Sequence, residues 1–197
     1  MVDNLNKIIP LLEFDSEDDF YYLQILQRKS EHKELGSASK VIRNYFINSV
    51  EYLIEHMDQI KALCDHFNAR ACIRLNRRSY RLVAYKTMVN LANSMSNQSY
   101  NHCYRVYDRA CGQGHNEKPA RWILDIDTKM NKREINNMVL IAERECEPIG
   151  INKFVTLIPS KKGVHIIMNP FNLKQFREKT CPLIDVHKDN PTNCYIP

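Results

Sequence analysis

No stretch of this 197-residue chain approaches the roughly 20 apolar residues that a membrane-spanning helix needs. No secretory leader is evident either: MVDNLNKIIPLLEFDSEDD has one short apolar patch and then turns acidic. The seven cysteines are odd in number and none are spaced as a CxxC pair. That pattern speaks against a disulfide framework and for reduced thiols in a cytoplasmic protein. No standard zinc spacing is present. His102, Cys103, Cys111 and His115 are metal-capable types close together in sequence, but adjacent His102 and Cys103 are awkward around one tetrahedral ion. Free surface residues are the simpler reading of the four.

What is present suits a globular protein with a polyanionic partner. Apolar residues make up 44% and charged residues 26%, ordinary values for a packed domain. The net charge of +5 is uneven. Residues 1–35 hold eight acidic and four basic residues, so the remainder of the 23 acidic and 28 basic residues carries an excess of positive charge.

Taken in order, the N-terminal region (1–68) reads as helical. Asp15 or Ser16 is placed to cap a helix with an acidic first turn, running to about Lys29. After a break at 33–39, a long helix is expected from about Ala38 to Phe67. Its seam is Phe46, Val50, Leu53, Met57, Ile60, Cys64 and Phe67 at alternating spacings of four and three. Residues 69–197 read as a second, α/β region. ARACIRLNRRS alternates as a strand, and Ser79 is placed to cap a helix burying Leu82, Tyr85, Val89 and Ala92. Arg74, Arg77 and Arg78 cluster at that junction, either as a phosphate or nucleic-acid site at a helix N-terminus or as a solvated charge group. A polar stretch, 96–120, then leads to RWILDIDTK.

That last stretch organises the chemistry. Alternation sets Ile123, Asp125 and Asp127 on one face of a buried strand and Trp122, Leu124 and Ile126 on the other. Carboxylates two residues apart on a strand lie roughly 6–7 Å from each other. They repel unless a cation sits between them, although Asp127 also suits a helix cap. A helix from Lys132 to Glu147 follows, stopped by Pro148 and Gly150. Then come two strands, 154–158 and 164–168, joined by a turn holding Lys161, Lys162 and Gly163, a short helix at 172–179, and strands at 183–187 and 193–196. From residue 121 the order is β-α-β-β-α-β, so the expected fold is α+β: an RRM-like or ferredoxin-like catalytic unit joined to an α/β unit. Asp185 interrupts an apolar strand, where an unpaired carboxylate is costly. A third carboxylate beside the first two would complete a cage for two divalent ions, the apparatus of in-line nucleotidyl transfer. Ser160, Lys161, Lys162 and His165 flank the turn as candidate phosphate or sugar contacts, with a core histidine as the plain alternative for His165.

The set LDID at 124–127, SKKGVH at 160–165 and LID at 183–185 resembles the three motifs of the archaeo-eukaryotic primase superfamily, in order and in strand contexts. The likeness covers 120–197, extends back to about 69, and omits the first 60 residues. It implies a DNA primase or primase-polymerase, a template-directed nucleotidyltransferase that makes or extends primers on single-stranded DNA. The metal ligands it implies are Asp125, Asp127 and Asp185, holding two Mg²⁺ or Mn²⁺ ions. It assigns Ser160, Lys161, Lys162 and His165 to the NTP or dNTP, with Asn190 and Thr192 as further contacts and Asp189 as a rival third ligand. Implied partners are the template, the nucleotide and a helicase or other replication protein, with no membrane. The family's zinc module is not evident, so the chain is similar to a minimal phage, mobile-element or bacterial module. Two rivals remain. A replication-initiation nickase wants a His-hydrophobic-His pair, which is missing. A non-catalytic single-strand-binding module on an RRM-like sheet wants exposed strand aromatics, where this chain has carboxylates.

Overall fold

A computed structural model describes residues 1–36, 38–114, 120–127, 130–180 and 184–197, with the side chain of Asp127 outside the described set. The fold is mixed α+β with two antiparallel sheets. In chain order the elements are β1 (Val2–Asp3), α1 (Leu5–Ile8), β2 (Asp19–Gln27), β3 (Lys40–Ile47), α2 (Val50–Phe67), β4 (Arg70–Arg74), β5 (Arg78–Ser79) and α3 (Tyr80–Ser96). They continue with α4 (Val106–Gln113), β6 (Trp122–Asp127), α5 (Lys132–Glu145), β7 (Phe154–Pro159), β8 (Gly163–Met168), α6 (Leu173–Lys179), β9 (Asp185–His187) and β10 (Pro191–Ile196). Among the described residues no helix is long and apolar enough to cross a membrane.

The first sheet has the order β1-β10-β4-β2-β3, with β5 pairing β2 off that path. Here the structure corrects the expectation of a helical N-terminal region. Residues 19–27 form a strand, because DFYYLQILQ holds three aromatic residues and Ile25 and is covered on both faces. Tyr21, Leu23 and Ile25 pack with Leu53, Met57, Ile60 and Cys64 of α2, while Phe20 and Tyr22 pack with Val83, Ala110 and Cys111 of α3 and α4. A strand buried on both faces loses the two-residue alternation that would identify it. The acidic turn before it closes on itself instead: the Asp19 carboxylate accepts from the Asp15 and Ser16 N–H groups. Residues 40–47 form β3, and the helix begins only at Val50. Ser49 caps it, its hydroxyl accepting from the Tyr52 N–H at 3.0 Å. Phe46 had matched the helical spacing by coincidence.

The second sheet has the order β7-β8-β6-β9. Leu124, Ile126, Ile166 and Met168 pack against Met138 and Ala142 of α5 and Phe176 of α6. The expected α5 starts with a full capping box, Asn131 and Glu134 satisfying each other's backbone. Ile123, Ile158 and Ile167 belong to the other face and join the core of the first sheet, so one apolar cluster holds both sheets together. Each of these three isoleucines is at most 2% exposed, and truncating any one to Ala costs roughly 2–5 kcal/mol.

The final two strands lie in different sheets. β9 pairs β6, and β10 pairs β4. The connection at Lys188–Asn190 therefore crosses from one sheet to the other, and that crossing creates the cleft described next.

Candidate functional site

Strand register sets three motifs in one row. Asp125 faces His165 of β8 on one side and Asp185 of β9 on the other. Residues directly opposite in an antiparallel ladder share a face, with Cβ atoms roughly 4.5–5.5 Å apart. A second row on the same face contains Ile167, Ile123 and His187. Asp127 lies opposite Gly163, which has no side chain. Asp125 and Asp185 thus lie opposite each other on adjacent strands, where like charges repel. Asp125 is 46% exposed, so water screens part of this repulsion.

His165 is held rather than free. Nδ1 lies 2.8 Å from the Thr192 hydroxyl and Nε2 lies 3.5 Å from Asp125 Oδ1. Burial holds its pKa below the ordinary value. Asp125 pulls the other way, and Arg28, His187 and Arg70 reinforce the lowering. A neutral ring with its proton on Nε2 satisfies both contacts, accepting from Thr192 and facing the carboxylate. At 3.5 Å that second contact is too long for a hydrogen bond, so the Nε2–H is available to another acceptor.

Asp125 and His165 of this row, with His187 beside them, line a cleft of about 160 Å³ between the two sheets, opposite Leu26, Arg28, Cys72, Asn190, Pro191 and Asn193, while Asp185 is exposed outside that lining. Arg28 was missed in the sequence because residues 16–29 were expected to be helical. It follows the end of β2, is exposed, and has no ion-pair partner among the described residues. A strand ending in QRK was the available signal. Exposed Asn190 lines the cleft as well, whereas Thr192 is fully buried beneath His165.

The hairpin of Ser160, Lys161, Lys162 and Gly163 is a closed turn. The Ser160 N–H donates to the Gly163 carbonyl, and the Ser160 hydroxyl accepts from the Gly163 N–H at 3.0 Å. The Gly163 N–H is therefore not free to bind a ligand. Lys162 is exposed. Lys161 reaches back to Glu31, which also pairs with buried Arg70. Burial pushes the Glu31 carboxyl up, but Arg70 and Lys161 outweigh it and hold it at about 2.

Arg74, Arg77 and Arg78 do not form the phosphate-facing group that was one reading of them. Arg78 is fully buried, donating to Asp189 Oδ2 at 2.5 Å and to the Cys111 carbonyl at 3.0 Å. Arg74 also meets Asp189, and Arg77 is paired with Asp15 and Asp19. Buried cations need such partners, and these partners lie far away in sequence. The same network removes Asp189 as a rival metal ligand.

No family model, curated protein or solved structure matches the chain.

A hard divalent ion fits the carboxylates of the row: two of them in register on adjacent strands, with a repulsion that a cation would relieve. Among the described residues no group of three or more His, Cys, Asp or Glu side chains is close enough to hold an ion, and the Asp127 carboxylate lies outside that set. Cys111 is fully buried in an apolar cluster, His102 is exposed, and His115 and Leu183 lie outside the described residues.

Proposed function

We propose that the chain is a template-directed nucleotidyltransferase of the primase-polymerase kind, on an RRM-like β6–β9 unit related to the archaeo-eukaryotic primase superfamily. One observation carries this reading: Asp125, His165 and Asp185 stand in a single row across three strands, and Asp125 and His165 line a cleft with Arg28 on its other side. The β-α-β-β-α-β order of the unit supports the same reading.

Nucleotidyl transfer asks the protein mainly for position and charge. A primer hydroxyl attacks the α-phosphorus of a nucleoside triphosphate, a P–O bond forms, and pyrophosphate leaves. Asp125, Asp127 and Asp185 would hold Mg²⁺ or Mn²⁺, which when bound lowers the pKa of the attacking hydroxyl and neutralises developing charge. Arg28 supplies a cation on the phosphate side. His165, kept neutral by burial and oriented by Thr192, offers its Nε2–H to a phosphate or sugar oxygen. Lys162 is free to follow the triphosphate, and Lys161 must exchange Glu31 for it.

The test is incorporation of labelled NTPs or dNTPs on single-stranded DNA with Mg²⁺ or Mn²⁺, with and without a primer. Asp125→Asn should abolish product. Arg28→Ala should raise KM for the nucleotide about tenfold or more, as loss of a charged phosphate contact implies. No incorporation by wild type in any mode, with single-strand binding unchanged in Asp125→Asn, would leave a binding module instead.

A further inference from the structure

Helix α3 is turned inside out. The stripe it lays on the protein is Val83, Thr87, Asn90 and Ser94, of which only Val83 is a buried hydrophobic residue. The opposite side carries Leu82, Tyr85, Met88, Val89, Ala92 and Met95. The five large ones are between 46 and 67% exposed. The sequence pattern had identified an apolar seam correctly, and the structure corrects its direction: it faces water. A polar side packed inward and an apolar side left outward is the reverse of an ordinary surface helix.

We propose that this face is a dimerisation surface, packing antiparallel across a two-fold axis on the same face of a second copy of the chain. The positions 82, 85, 89 and 92 recur at three, four and three, the spacing of a helix–helix seam. With the axis between Met88 and Val89, Leu82 meets Met95, Tyr85 meets Ala92, and Met88 meets Val89. Every central pair is apolar. Charge selects the same orientation. The helix is basic only in its N-terminal half, at Arg81 and Lys86, while its C-terminal half is neutral. Antiparallel packing sets Arg81 beside Ser96 and the partly negative C-terminus of the other helix, whereas a parallel pair would oppose like charges. The six side chains expose on the order of 600 Å², so the pair would bury about 1,200 Å², the lower bound of a specific interface.

Sedimentation of the full chain tests this, from about 1 to about 100 µM, a span in which interfaces of this size associate. The average mass should rise from 23.2 kDa toward twice that value. Met88→Glu/Val89→Glu, both exposed and therefore compatible with the fold, should stay monomeric with an unchanged circular dichroism spectrum. In a Cys103→Ser background, Val89→Cys should cross-link to itself near the axis, and Leu82→Cys should not. A wild type that remains monomeric overturns the proposal, as does a dimer that the two glutamates leave intact. Equal cross-linking at both positions overturns the antiparallel arrangement. If wild type stays monomeric but binds a labelled single-stranded oligonucleotide, and the glutamate variant does not, the face belongs to nucleic acid and the dimer is refuted.

Discussion

Replacing Asp189 with Ala separates two roles for one carboxylate. It accepts from Arg78 Nη2 at 2.5 Å, Asn76 Nδ2 at 3.1 Å and Arg74 Nη1 at 3.3 Å. Arg74 and Asn76 retain other bonds or some contact with water, but Arg78 has no exposed surface. Asp189→Ala therefore leaves a buried guanidinium without its counter-charge, at a cost of roughly 3–5 kcal/mol. For a domain of this size each kcal/mol moves Tm by about 2–4 °C, so a fall of about 6–20 °C is expected. Thermal and urea unfolding followed by circular dichroism, in chelator, would measure it. Chelator matters because a metal-ligand role predicts the reverse: little change without metal, and a loss only of metal-induced stabilisation. Arg78→Met/Asp189→Leu should recover most of the stability, since replacing both partners removes the buried charge altogether. A loss under about 1 kcal/mol for the single variant, or a double variant no more stable than the single, would refute the ion-network account of this junction.

Two other carboxylates give outcomes that can be measured. Asp185→Asn should remove nucleotide incorporation while leaving stability unchanged or raised by up to about 1 kcal/mol, because it relieves the repulsion opposite Asp125; a large fall in stability would show that Asp185 has a structural partner instead. Glu31 sets an acid limb. Its carboxyl is held at about 2, below its ordinary 4.5, so the stability it contributes is complete above pH 4.5 and is lost as pH falls toward 2. Discounted for a side chain 17% exposed, the effect is about 2 kcal/mol. Glu31→Gln should lower stability at neutral pH and flatten that part of the pH profile; an unchanged profile would sink the argument.

The elements from β6 to β9 were legible because each signal is local. Alternation around Asp125, the Pro148 and Gly150 stop after α5 and the SKKG turn all act within a few residues. The row of Asp125, His165 and Asp185 was legible in part, as three motifs, while their register needed the sheet. What the sequence hid was set by distant partners. β2 is buried on both faces and so lost its period, and with it went Arg28. Arg78 looked like a surface cation because the residue that neutralises it, Asp189, is more than a hundred positions away. In α3 the periodicity was correct, but nothing in a period says which side faces inward.

The placement of β10 has a kinetic consequence. It is the tenth strand in chain order among the described residues, yet it lies inside the first sheet, between β1 and β4. Until it arrives, β4 has an open edge and Thr192 is not there to orient His165. Pairings of such long sequence separation slow folding, and an unpaired strand edge invites association with other chains while the protein waits. The second sheet can assemble early from near neighbours in sequence; the cleft between the sheets closes only when β10 pairs with β4.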